Sequence, residues 1–308
     1  MLIIVNPYAT TVSNRLKNLV VYALQGRYEV ETVATEAQNH ATEIGREVQD
    51  HGYDVVVAFG GDGTLNEVAN GLAGTDVPVS MLPGGSTNVV CRTLGIPNDV
   101  VDATEHLLAL ADDWKPRKID LGLVDDRYFV FACGVGIDAT VVKRVDAHPR
   151  LKSRAGPYYY SWAALSAFYR NYMVNPVRLR VDVNGKSVEG MTALAQNSDP
   201  FTYFASRPVR VCEGVGIDDG TLSLGVLKRA TQRDMPTLIP RLFSEKHAAA
   251  QHRQIEHFED VTAATIASIS ETKDGVARPF PVQVDGDYIG ERTALRLGVT
   301  ARALTVIA

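Results

Sequence analysis

The sequence predicts an α/β protein whose N-terminal part carries a parallel sheet and whose C-terminal part is mostly β. Three observations lead there. Residues 1 to 121 alternate short apolar runs with longer amphipathic stretches, the rhythm of a sheet covered by helices on both faces. The run Val55-Val56-Val57-Ala58-Phe59 is apolar on both of its faces, as a central parallel strand must be. Beyond residue 118 the pattern changes to short alternating runs separated by turn residues.

The first four strands are expected at residues 2–5, 28–33, 54–59 and 77–82. Between them, residues 12–24, 37–51 and 65–72 show helical apolar spacing, with Gly26, Gly52 and Gly74 just past their ends, where glycine stops a helix. In the second half, strands are expected at 118–124, 128–133, 177–183, 188–196, 222–227, 262–269, 282–284 and 294–297. Asn184-Gly185 is a strong hairpin signal because both residues tolerate positive φ. Helical stretches are expected at 158–173 and 234–242, and no internal repeat or low-complexity linker is evident. The division is an N-terminal Rossmann-like domain at 1–121 and a β-sandwich domain at 122–297, with 298–308 as a segment that could return to the first.

Composition narrows the function classes. A net charge of −5 disfavours a surface built for nucleic acid. Cys91, Cys133 and Cys212 are odd in number and lack C-x-x-C pairing, so neither a disulfide framework nor a thiolate metal site is indicated and a reducing, cytoplasmic setting fits. The N-terminus enters an apolar strand-like run without a basic segment, unlike a signal peptide, and no window reaches the ~18 consecutive apolar residues of a membrane span. Peripheral membrane contact stays open.

In an open parallel sheet, ligands bind beyond the carboxyl ends of the strands. Those positions here hold Asn6-Pro7, Thr35, Gly60-Gly61-Asp62-Gly63-Thr64 and Pro83-Gly84-Gly85-Ser86-Thr87-Asn88. Glycine lets backbone amides approach a polyphosphate, hydroxyls add donors, and the following helix N-termini favour negative charge. Each loop alone is an ordinary turn; two together describe a phosphate cradle. The G-x-x-x-x-G-K-[ST] loop is absent, and the nearest approach to a dinucleotide fingerprint, Gly134-Val135-Gly136-Ile137-Asp138-Ala139, lies in the β-rich half and reads as a turn.

These motifs resemble bacterial diacylglycerol-kinase-like lipid kinases. Asn6-Pro7, Gly60 to Glu67, the 83–88 loop continuing into Arg92-Thr93-Leu94-Gly95-Ile96-Pro97, Ile119-Asp120-Leu121-Gly122, Asp218-Asp219-Gly220-Thr221-Leu222 and Val284-Asp285-Gly286-Asp287 occur in that family's order across nearly the whole chain. Sphingosine kinases and, more distantly, NAD kinases share the Gly-Gly-Asp-Gly-Thr core. The resemblance implies that ATP is held by Asn6, Pro7, Thr10, Thr35, Gly60, Gly61, Asp62, Gly63, Thr64, Leu65, Asn66, Glu67, Gly85, Ser86, Thr87 and Asn88. It implies that Asp285 and Asp287 lie at a catalytic centre between the domains, one accepting the acceptor's proton, with Asp120 completing a magnesium-linked network. A structural Mg2+ is implied at Asp219 with carbonyls of Gly216 and Thr221. Glu67 either positions magnesium or complements a helix dipole, and the resemblance favours the first. The chain departs from the family in two places: Tyr8-Ala9 follows Asn6-Pro7 where Ser-Gly is usual, and Asp287 stands where Glu is usual.

Two further features are weaker. Lys143, Arg144, His148, Arg150, Lys152 and Arg154 precede Tyr158-Tyr159-Tyr160-Ser161-Trp162, a pattern suited to a membrane interface, although Tyr158, Trp162, Leu165, Tyr169 and Tyr172 have the spacing of a core-facing helix stripe. His247, His252 and His257 recur every five residues, which does not stack metal ligands, so they are expected at the surface or at element ends. The expected activity is ATP- and Mg2+-dependent phosphorylation of a lipid hydroxyl at a membrane surface, diacylglycerol to phosphatidic acid or a related conversion. Alternatives are a kinase for a soluble acceptor and a nucleotide-binding regulator without catalysis; a homodimer stays open.

Overall fold

A computed structural model describes residues 1–111, 113–147, 166, 176–244 and 246–308. The chain divides into two compact units, Met1–Leu121 with Ala301–Ala308, and Gly122–Thr300. The basic and aromatic stretch from His148 to Trp162 and the expected helix at 158–173 lie outside the described residues, apart from Ser166.

In the first unit, β1 (Leu2–Val5), β2 (Glu31–Ala34), β3 (Val56–Gly60) and β4 (Val79–Pro83) form a parallel sheet in the order β2-β1-β3-β4. Every residue of β1, β3 and β4 is buried, which is why these segments read as unbroken apolar runs. Between and after the strands come α1 (Asn14–Leu24), α2 (His40–Glu47), α3 (Asp62–Leu72), α4 (Val89–Leu94) and α5 (Val100–Leu110). Ser13 caps α1 through Leu16 N, and Asp99 caps α5 through Val101 N at 2.8 Å, each satisfying an amide that the helix cannot. Pairing of Val306 with Val79 adds the end of the chain to the sheet beside β4, and Gly74 N donates to Ala303 O at 2.8 Å.

Three local expectations are corrected here. The second strand begins at Glu31 rather than residue 28, because Tyr28 turns its hydroxyl to Leu107 O at 2.8 Å and packs beside Trp114. The expected helix at 37–51 shortens to α2, since Asn39 adopts a left-handed conformation and Val48–Asp50 tighten to a 3-10 turn. Helices α4 and α5 had no expected counterpart; both are short or weakly amphipathic.

The second unit is a sandwich. The strand β5 (Arg117–Val124) runs from the first unit into it and forms a hairpin with β6 (Arg127–Phe129), followed by β7 (Ala132–Val135) and α6 (Ile137–Asp146). Next come β8 (Leu179–Val183), β9 (Lys186–Gly190), β10 (Thr192–Gln196), the two-strand ribbon β11 (Thr202–Phe204) and β12 (Arg207–Val209), and β13 (Leu222–Leu227). A short helix at Met235–Leu238 precedes β14 (Ile255–Val261), β15 (Ala263–Ser268), β16 (Phe280–Val284), β17 (Asp287–Arg292) and β18 (Ala294–Val306). One antiparallel sheet runs β14-β13-β10-β7-β16-β17, and the facing one pairs the start of β18 with β15, then β8 and β9. Their inner faces share one core, with Leu179, Val181, Ile266 and Leu297 opposite Ala195, Leu224, Val226 and Val282.

Asn184 and Gly185 both take positive φ in the β8–β9 turn, as the hairpin signal requires. The single strand expected at 188–196 is instead β9 and β10, which lie in different sheets and break at Met191. The Gly134–Ala139 stretch is not a turn alone; it leads β7 into α6. Strand β14 was not anticipated because His257, Glu256 and Glu259 dilute its alternation.

Candidate active site

Three loops at the carboxyl ends of the parallel strands are tied into one rim. Asn6, just past β1, donates from Nδ2 to Thr64 Oγ1 at 3.0 Å and accepts Tyr8 N on Oδ1 at 2.9 Å. Thr11 N reaches Gly84 O at 3.1 Å, and Gly84 N reaches Gly60 O at 2.7 Å. The two glycine loops therefore meet backbone to backbone. A Cβ at Gly84 would lie 2.8 Å from Gly60 Cα, and one at Gly85 would lie 2.9 Å from Gly61 Cα, so no larger residue fits either place. The outcome is a side-chain-poor stretch of backbone at the first turn of α3, the arrangement in which backbone amides and the helix dipole favour a phosphate.

Polar side chains in the rim hold it together. Both carboxylate oxygens of Asp62 accept amides at the start of α4, Val89 N at 3.0 Å and Val90 N at 3.1 Å. Asn88, in a left-handed conformation, accepts Gly85 N at 2.9 Å and donates to Gly85 O and Asn98 Oδ1. Thr35 closes the end of β2 with its amide on Val5 O at 2.8 Å. Gly61, Gly63, Gly85 and Thr87 are partly exposed in the rim and Ser86 is exposed, as are Pro7 and Thr10 on the loop after β1, whereas Thr64, Leu65 and Asn66 are buried inside α3. Glu67, expected to position magnesium or to complement a helix dipole, has its oxygens on Asn39 N at 2.9 Å and Ala41 N at 3.2 Å at the start of α2, so it caps that helix. Asp120 is fully buried and accepts Arg302 N at 2.7 Å, bracing the returning C-terminal segment of the same unit.

In the second unit, Asp285 and Gly286 take positive φ in the hairpin that joins β16 to β17. Asp285 is buried, and its carboxylate accepts three consecutive amides, Val130 N at 2.6 Å, Phe131 N at 2.9 Å and Ala132 N at 3.0 Å. Such a nest of N–H donors fixes the carboxylate in place. Asp287 opens β17 and is partly exposed. Sequence reasoning missed Gln283, which is buried and accepts Gly286 N on Oε1 at 2.8 Å. A glutamine inside an apolar strand was the signal that could have found it.

Asp219 binds its own turn. Oδ1 accepts Thr221 N at 2.9 Å and Thr221 Oγ1 at 3.1 Å, while Oδ2 accepts Gly216 N. What surrounds this carboxylate is therefore the N–H and O–H donors of its own turn, on both of its oxygens. Among the described residues no group of three or more His, Cys, Asp or Glu gathers to hold a metal. His252 is buried with Nε2 3.0 Å from Thr237 Oγ1, not surface-facing, and burial lowers its pKa; His257 Nε2 accepts Glu213 N, and His247 is exposed. Cys91, Cys133 and Cys212 are free, buried thiols pushed up above the usual range chiefly by desolvation.

Residues 1–124 match the family model of the diacylglycerol kinase catalytic domain, and residues 132–308 match that of the YegS C-terminal NAD kinase beta sandwich-like domain. A diacylglycerol kinase of Bacillus subtilis strain 168 is 26% identical over 271 residues, covering 86% of this chain and 82% of the relative. One from Staphylococcus aureus strain bovine RF122 / ET3-1 is 27% identical over 271 residues, covering 87% and 78%. The crystal structure of a diacylglycerol kinase from Bacillus anthracis strain Sterne shares the fold at a TM-score of 0.74 with 22% identity, covering 99% of this chain and 96% of that one. The two family models together span nearly the whole chain, and the chain belongs to the diacylglycerol-kinase-like family of lipid kinases.

Proposed function

We propose that this protein transfers the γ-phosphoryl group of ATP to a hydroxyl of diacylglycerol, or of a related lipid, giving phosphatidic acid or its analogue and ADP. The observation that carries the ATP half is the meeting of the Gly60–Gly61 and Gly84–Gly85 backbones, closer than a Cβ at Gly84 or Gly85 would allow, beside the first turn of α3. The acceptor half draws support from the diacylglycerol kinases that match most of the chain.

As the acceptor oxygen bonds to the γ-phosphorus, the bond from that phosphorus to the β–γ bridging oxygen breaks, and the hydroxyl proton passes to a carboxylate. Asp287 fits that role better than Asp285. The latter accepts three amides at 2.6 to 3.0 Å, which engage it as an anchor of its own turn, whereas Asp287 follows the turn on a partly exposed strand. The rim amides at Gly61, Gly63, Ser86 and Thr87 orient the phosphates. Magnesium would neutralise charge on the transferring phosphate, and Asp219 with the carbonyls of Gly216 and Thr221 would hold a second, structural ion.

A lipid acceptor implies work at a membrane surface. Among the described residues no helix is long and apolar enough to cross one, so contact would be peripheral, and the buried free thiols suit the cytoplasm. The test is transfer of labelled γ-phosphate, with Mg2+, to micellar diacylglycerol, monoacylglycerol, sphingosine and phosphatidylglycerol, and to NAD. A labelled lipid lost in Asp287→Asn supports the reading. Label on NAD alone would replace it with a soluble acceptor, and ATP binding without any transfer would replace it with a regulator.

A further inference from the structure

The stretch Gly134-Val135-Gly136-Ile137-Asp138 carries no role in the chemistry above, yet the fold treats it as a built junction. Gly136 has φ +92°, and a Cβ there would lie 2.5 Å from Met191 O. Its amide donates to Pro281 O at 3.1 Å, and Ile137 N donates to Thr192 Oγ1 at 3.0 Å, so the start of α6 is pinned to two neighbouring strands. Asp138 stands in that first turn. Its Oδ2 accepts Gln283 Nε2 at 2.6 Å, while Gln283 Oε1 accepts Gly286 N at 2.8 Å. A side chain at Gly134 would occupy the space of this pair: its Cβ would lie 2.7 Å from Gln283 Nε2.

An ionised carboxylate only accepts hydrogen bonds, so it faces the amide end of Gln283 and directs the carbonyl end to Gly286. The turn is then clamped twice. On one side Asp285 is held by the amides of residues 130–132; on the other, Gln283 holds Gly286. Helix α6 also grips the far strand, where Lys143 Nζ lies 2.8 Å from Glu291 Oε1 and 5.1 Å from the centre of the Tyr288 ring. Burial pushes the Asp138 carboxyl up to about 6, against the lowering effect of Gln283. An apolar residue would pack there without that cost, which argues for a positional purpose.

We infer that Asp138 and Gln283 are positioning residues that set the Asp285–Gly286–Asp287 turn and so aim the Asp287 carboxylate. The inference rests on Asp287 serving phosphoryl transfer. The experiment compares wild type with Asp138→Ala, Asp138→Asn, Gln283→Met and the Ala/Met double variant in kcat, in KM for ATP and in amide hydrogen exchange of the 280–292 peptide. Expected are ~10- to 100-fold losses of kcat in Asp138→Ala and Gln283→Met, as for a reacting group displaced by about 1 Å. KM for ATP stays within about twofold, and the double variant loses no more than the worse single one, because the pair acts as a unit. Asp138→Asn keeps an acceptor oxygen and returns kcat to within ~3-fold of wild type. Folded Ala and Met variants with wild-type kcat, or losses that multiply, overturn the inference. Exchange is read independently of turnover: faster exchange at Gly286 in Asp138→Ala supports the clamp, and unchanged exchange overturns it. A wild type that phosphorylates nothing defeats the kinase reading, and the exchange result then still decides whether Asp138 orders the turn.

Discussion

Val89 donates its backbone amide to Asp62 Oδ2 at 3.0 Å, across 27 residues, and Val90 does the same to Oδ1. The aspartate of the Gly-Gly-Asp-Gly-Thr loop thus caps a helix that begins beyond the second glycine loop, making one rigid rim of two. Removing it should disturb both the fold and the nucleotide.

Asp62→Ala leaves two α4 amides without acceptors and should cost about 1–2 kcal/mol of stability, the range for a lost helix cap. Weaker stabilisation by ATP should accompany that loss. Thermal denaturation with and without ATP reads both, and a variant as stable and as ATP-responsive as wild type would contradict the brace.

Glu67→Ala should behave differently. The carboxylate serves Asn39 N and Ala41 N, so the variant loses about 1 kcal/mol from the α2 cap. Its Mg2+ dependence of turnover should stay as in wild type. A rise of tenfold or more in the Mg2+ concentration for half-maximal activity would instead assign Glu67 to positioning magnesium.

The Asp285 and Asp287 carboxylates should separate by phenotype. Asp285→Asn cannot accept three amides as an anion does, and should lose about 2–3 kcal/mol of stability, seen as a lower denaturant midpoint. Asp287→Asn should unfold near wild-type conditions yet lose ~100-fold or more in kcat, the scale of a missing general base. Equal loss of stability in both would dismiss the division of roles.

Asp138 gives a pH signature. Its carboxyl has a folded value of about 6 against an ordinary 3.8, raised mainly by burial. The folded state therefore holds this proton more tightly than the unfolded chain. That contribution is fully present below pH ~4 and is lost as pH rises through ~6. Above this window a charged carboxylate is buried at a cost that an amide avoids. Asp138→Asn should raise the thermal midpoint at pH 7.5 by a few degrees, about 1–2 kcal/mol, with the gap closing toward pH 4. A gap that is independent of pH would rule out titration at this site.

Much of this architecture was legible because its causes are local. Strands β1, β3 and β4 are buried on both faces, so their apolar runs announce them without reference to the rest of the chain. Asn184-Gly185 marks its hairpin because both residues accept positive φ, and the glycines at 60, 61, 84 and 85 mark the rim because amides can be bared only where side chains are missing.

What the sequence by itself determined, then, was where the buried parallel strands and the glycine rim lie, since period and side-chain size are encoded residue by residue. The tertiary structure alone decided the work of each carboxylate. Asp62, Glu67, Asp219 and Asp285 look alike in sequence, yet each is occupied by particular amides, those of Val89, Asn39, Gly216 and Val130. An acid is read as anchor, cap or base only from the donors folded around it, and for Asp62, Glu67 and Asp285 those donors come from 26 to 155 residues away. The same reason hid the Asp138–Gln283 bridge, whose partners are 145 residues apart.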